Sequence, residues 1–208
     1  MNKNNLIRFA QSLILLPFVA GTPVPMGSIL TNTTRDTVQT VFIQKQNIEA
    51  HDLIAFNQEL DQKAKDLKAK ADAIDIYFRD HGMPLAGQGE KMVIEAEKND
   101  LDWRLIPAIA VRESTGGRND CIKVENNPFG WGSCKIGFDT VEEAIETVAK
   151  NLGGNNPNTE RHYADKTTKQ ILRAYNPPSI VLRYAEQVMK IMSDIGPEDI
   201  IIPAPITS

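Results

Sequence analysis

A chain of 208 residues has room for one domain of ordinary size plus appendages. Its 41% hydrophobic and 24% charged residues are globular proportions, and a net charge of −4 supplies no basic field for a nucleic-acid partner. Two cysteines and three scattered histidines (His51, His81, His162) are too few ligands for zinc, so neither a metal nor a cofactor is expected.

Residues 1–30 have the layout of an export signal: Lys3 and Arg8 with no acid, an apolar stretch from Phe9 to Ala20, then a break rich in Pro and small residues. That stretch is shorter than the ~20 residues that span a bilayer, although Ser28, Ile29 and Leu30 could lengthen it. A signal peptide or an uncleaved membrane anchor is therefore expected, with a buried helix as the alternative. The expected location is the cell envelope or the exterior, and any membrane contact would run through this segment.

Export changes how the cysteines read. Cys121 and Cys134 lie close together in a Gly- and Asn-rich segment, and in an oxidising compartment such a pair forms a disulfide. The short loop it closes would contribute about 3 kcal/mol on the chain-entropy account. Two unpaired buried thiols are the alternative.

Residues 31–82 form a spacer. From Asp36 to Asp80 there is neither Pro nor Gly, and Leu53, Leu60, Leu67 and Ile74 recur at every seventh position. That period describes a coiled-coil seam, with self-association through the 53–78 helix. Lys63 and Lys70 thin the seam, so a single amphipathic helix docked on the following domain is the other reading.

The stretch "HGMPLAGQGE" breaks the helix and sets a domain boundary near residue 82. Residues 83–196 then read as short helices joined by Gly, Asn and Pro loops. Asp102 is placed to cap "WRLIPAIAVRE", with Pro107 tolerated in its first turn. Thr140 with Glu143 forms a capping box before a helix whose apolar face is Val141, Ile145, Val148 and Leu152. A short helix covers "TTKQILRAY". The last, "SIVLRYAEQVMKIMSDIG", carries Ile180, Tyr184, Val188, Ile191 and Ile195 at helical spacing before Gly196 and Pro197. No run alternates as a strand would, so the fold class is all-α. Residues 197–208 are an apolar tail that packs back or hangs free.

Glu113 is the residue that calls for explanation, because it directly follows one of the most apolar runs in the chain. A carboxyl shielded by apolar packing at the negative end of a helix dipole favours its protonated form, which a general acid requires. The bland alternative is a surface glutamate paired with Arg112 or Arg118.

Three segments in order, "AIAVRESTGG", "NNPFGWGS" and "AYNPP", resemble the successive motifs of the lysozyme-like superfamily. "ES" and "AYN" are similar to soluble lytic transglycosylases. "NPFGWG", "FDTVEEAI" and "YAEQVMKI" are similar to the mannosyl-glycoprotein endo-β-N-acetylglucosaminidase-like family of glucosaminidases. The resemblance spans residues 83–195 and implies a lysozyme-like helical domain that cleaves β-1,4 bonds between amino sugars of peptidoglycan glycan strands. By position it implies Glu113 as the general acid and Tyr175 as a tyrosine beside it. It also implies Ser114, Asn127, Phe129, Gly130, Trp131 and Asn176 as cleft residues, although "NPP" departs from the transglycosylases' Gly-containing continuation after Asn176.

Glycosidases ordinarily pair two carboxylates, at ~5 Å for retention or ~6.5 to 9.5 Å for inversion. Glu125 is the preferred second carboxylate, with Asp120 and Asp139 as further candidates; a lytic transglycosylase needs none. Hydrolysis and anhydro-sugar formation both stay open. The competing function is a non-catalytic glycan-binding or surface-interaction module on a helical stalk.

Overall fold

The structure is a computed structural model that describes residues 33–200, with side chains from Asp52 onward. Residues 1–30, read above as signal or anchor, lie outside the described residues, as does the tail beyond residue 200. The described residues contain eight helices and no strand, so the protein is all-α there. None of these helices is long and apolar enough to cross a membrane.

Helix α1 (Thr33–Asp80) is long because nothing in its sequence interrupts it. Residues from Asp52 onward form one compact unit. Within that unit the heptad line divides. Leu53 and Leu60 are 63% and 49% exposed, Leu67 is partly buried, and Ile74 is wholly buried beside Ala71 and Phe78. The spacer therefore does not end at residue 82: the last turns of α1 belong to the domain's core.

Helix α2 (Gly89–Lys98) shows how tightly α1 docks. A side chain on Gly89 would come within 2.4 Å of the Ala71 carbonyl oxygen, so only glycine fits. Asp75 Oδ1 accepts the Gly87 and Gly89 amides, serving two otherwise unpaired donors at the start of α2. Met92, Val93 and Ala96 give α2 its buried face.

Helix α3 (Leu105–Ser114) is the central element. Leu105 through Ala110 are all buried, because α2, α5 and α8 all pack against it. A helix hydrophobic all round belongs inside. Pro107 sits in its first turn, where a missing N–H costs nothing. Asp102 does not cap it as expected. Its carboxylate instead clamps Arg104, accepting from the Arg104 backbone amide and guanidinium.

A single turn, α4 (Trp131–Cys134), precedes helix α5 (Val141–Leu152), which buries Ala144, Ile145, Val148, Ala149 and Leu152. Thr140 caps it, but Glu143 reaches back to the Asp139 amide rather than to Thr140. The single turn α6 (Glu160–Tyr163) leads to α7 (Thr168–Tyr175), which opens on a capping box of Thr167 and Gln170.

Helix α8 runs from Tyr184 to Ile195, shorter than its periodicity suggested. The prolines at 177 and 178 lead into a turn in which Ile180 and Val181 both donate to the Pro177 carbonyl. Ile180 consequently lies outside the helix and is 74% exposed. Met192, rather than Ile191, completes the buried face. After Gly196 the tail packs back: Trp103 Nε1 donates to the Glu198 carbonyl and Arg104 Nη1 to that of Gly196.

Candidate functional site

Helix α3 is buried along its first six residues and reaches the surface only in its last turn, where Val111, Arg112 and Glu113 are half-buried. That is the physical reason a carboxylate follows so apolar a run. The helix passes through the core and ends at a cleft. Thr115 turns left-handed at φ 56°, and Gly116 donates back to the Ala110 carbonyl, so the chain leaves abruptly after the acid.

Two cavities meet at Glu113. The first, about 480 Å³, runs along the disulfide loop past Asn119, Asp120, Lys123 and Lys135. The second, about 460 Å³, is walled by Phe129, Trp131, Tyr163, Tyr175 and Asn176. Glu113, Gly130 and Ser133 line both. Each is of a size that holds part of a small-molecule or oligomeric ligand.

The ends of α7 and α8 bring two tyrosines to the acid. Tyr175 and Tyr184 stack with ring centroids 5.9 Å apart, and the Tyr184 hydroxyl donates to Glu113 Oε1 at 2.6 Å. The Tyr175 hydroxyl donates to the Phe129 carbonyl, tying α7 to the loop. Burial, then the neighbouring Glu113 carboxylate, push both phenols well above their ordinary pKa, so both remain donors at any pH the protein meets. The Arg112 guanidinium lies 5.7 Å from the Tyr184 ring centroid and its Nε donates to Gln187 Oε1, which holds it on the α8 side.

A folded phenol whose pKa exceeds its unfolded value near 10 contributes stability that is complete below that pH. As pH rises past it, the unfolded chain loses protons the folded one keeps, and stability falls. Thermal melts are expected to hold level to about pH 9.5 and drop above it. In Tyr184→Phe the drop should be smaller.

The loop between Cys121 and Cys134 is held by one side chain bonded to backbone on and beyond it. Asn127 is completely buried: its Nδ2 donates to the Trp131 and Ile136 carbonyls and its Oδ1 accepts the Trp131 amide. Cys121 and Cys134 form the expected disulfide, with Cα atoms 5.5 Å apart. After the turn residue Trp131, Gly132, Ser133 and Cys134 are all left-handed, a conformation costing roughly 1–2 kcal/mol for each non-glycine residue. Gly130 is left-handed as well, and a side chain there would come within 3.3 Å of Glu113 Oε2. Glycine is what lets backbone approach the acid.

The predicted residues thus divide by what their atoms do. Glu113, Gly130, Trp131, Tyr175 and Asn176 all line the second cavity; Asn176 Oδ1 is buried there without a hydrogen-bond partner. Phe129 also lines it; its ring is fully buried and its backbone carbonyl accepts the Tyr175 hydroxyl. The Ser114 hydroxyl is spent on the Ala110 carbonyl and the Gly117 amide, so it shapes the helix end. Glu125 does not face the cleft: its carbonyl accepts the Phe138 amide, its residue is exposed, and it lines neither cavity. Asp139 is exposed ahead of α5 and lines neither. Asp120 is the acid that shares a cavity with Glu113, its Oδ1 accepting the Cys121 amide.

Tyr184, Thr159, His162 and Tyr163 belong to the site without having been singled out for it. Helical spacing placed Tyr184 in the core, correctly for its ring, but is blind to its hydroxyl. No protein-family model, curated protein or solved structure matches this chain.

Proposed function

We propose that this protein is a peptidoglycan glycosidase of lysozyme-like fold, acting on the β-1,4 bond between amino sugars with Glu113 as general acid. What supports this function above all is that one half-buried carboxyl stands where two open cavities join, with a tyrosine hydroxyl fixed on one of its oxygens. Glycan passing through both cavities would set a glycosidic oxygen beside it. Tyr184 holds Oε1, leaving Oε2, on the Gly130 side, to deliver a proton to the leaving oxygen. The partly buried Trp131 ring, tilted 5.9 Å from Tyr175, suits stacking on a sugar face. The disulfide fits a protein exported to an oxidising compartment. Exposed Leu53, Phe56 and Leu60 suit pairing of α1 with a second copy.

A glycan-binding module without turnover is favoured by one observation: Asp120 is the only other carboxylate among the residues lining the two cavities. The full chain incubated with purified cell-wall sacculi separates the two. Soluble fragments with new reducing or anhydro ends, identified by mass spectrometry, are the expected result and also name the bond and the route. Glycan retained on the protein with no new ends would leave only the binding module.

Tyr184→Phe removes the hydroxyl that orients the acid while keeping the ring that fills the core. Turnover is expected to fall about tenfold to a hundredfold, a misplacement-sized effect, mostly in kcat. A change confined to KM would remove Tyr184 from the positioning of Glu113.

A further inference from the structure

The two cavities that share Glu113 differ in charge. The second is lined by no lysine or arginine and by no acid except Glu113 itself; its walls are aromatic rings, amide and hydroxyl groups, one histidine and one isoleucine. The first carries Lys123 and Lys135. Both lysines are exposed and neither belongs to an ion pair among the described residues, unlike Lys68, Lys70, Lys91, Lys98, Lys169 and Lys190. The one acid facing them besides Glu113 is Asp120, already engaged with the Cys121 amide. They come from opposite ends of the disulfide loop: Lys123 follows Cys121 by two residues and Lys135 directly follows Cys134. The crosslink thus fixes two free cations to one side of the acid and none to the other.

We propose that the cavity along the disulfide is a subsite for an amino sugar bearing a carboxylate, read by Lys123 and Lys135, and that the aromatic cavity takes the neutral amino sugar. This rests on the glycosidase function proposed above and assigns polarity to it. Peptidoglycan strands alternate a neutral N-acetylamino sugar with one whose lactyl group is either a free carboxylate or extended by a peptide ending in carboxylates. A neutral homopolymer of the same amino sugar offers the lysines nothing. Two exposed ammonium groups converging on one anion strengthen binding modestly and in a salt-dependent way. A neutral competitor gains nothing from either ammonium, and that difference is the selectivity.

Calorimetric titration of the full chain carrying Glu113→Gln, which leaves the probe intact, tests the proposal apart from turnover. Three probes are used: the disaccharide with its peptide stem, the same disaccharide stripped to the free lactyl carboxylate, and the methyl ester of the stripped form. Adding Lys123→Met and Lys135→Met is expected to weaken binding about fivefold to tenfold for a charged probe and to leave the ester unchanged. The difference should fade as salt rises. Loss with the stripped probe locates recognition on the lactyl group, and loss with the peptide-bearing probe alone locates it on the stem. Equal affinity for all three probes, an equal loss on all three, or no binding at all overturns the subsite. Failure of the unmodified chain to cut sacculi would instead overturn the catalytic function, whatever these titrations show.

Discussion

Glu113→Gln is expected to lower the rate of glycan cleavage about a thousandfold while leaving the protein folded, as measured by release of soluble fragments from sacculi. The amide has the shape of the acid and can still accept the Tyr184 hydroxyl on its oxygen, so the stacked tyrosines and the α3 terminus keep their contacts. What it lacks is an acidic proton, and positioned proton transfer contributes about a hundredfold to ten-thousandfold in rate. The melting temperature should move by no more than about 4 °C, the shift that ~1 kcal/mol produces at this size. Glycan should still bind, because neither cavity changes volume. Equal turnover in both proteins would show that the residue at the junction of the cavities is not the acid.

Phe78→Ala carries the largest expected effect on stability, about 3–5 kcal/mol and a melting temperature lower by about 10 °C. Phe78 is wholly buried, one helical turn after equally buried Ile74, and both lie in the core cluster that includes α3. Removing the ring leaves a cavity that the rigid crossing at Gly89 and Ala71 cannot close. Phe56→Ala, on the same helix but 57% exposed, should change stability by less than about 0.5 kcal/mol. If the two substitutions cost the same, the end of α1 is not part of the domain.

Phe78 also shows where local pattern stops being informative. Every seventh residue from Leu53 to Ile74 is apolar, and nothing in that line announces that its first half faces solvent while its second half enters a core. The distinction depends on residues far along the chain. The longer helices, the disulfide and the carboxyl in the last turn of α3 were legible because each follows from composition and spacing within about a dozen residues; the short turns at 131–134 and 160–163 and the late start of α8 were not. The Tyr184 bond to Glu113 was not, since 71 residues separate the partners. Asn127 and Ser114, expected as cleft residues, do line the first cavity, with their polar atoms bonded to backbone that shapes the loop and the end of α3. Glu125 was misplaced because backbone pairing with Phe138, invisible in the order of residues, sets which way that stretch lies.

The contacts of Trp103 and Arg104 with the carbonyls of Glu198 and Gly196 bear on the order of events at the ribosome. The helix that carries Glu113 in its last turn is secured at its opposite end by residues translated nearly a hundred positions later. A nascent chain can form most of its helices as they emerge, but this anchor waits until residues 196 and 198 have been added. A chain cut after residue 195 would carry Glu113 on a helix whose starting end lacks these two contacts.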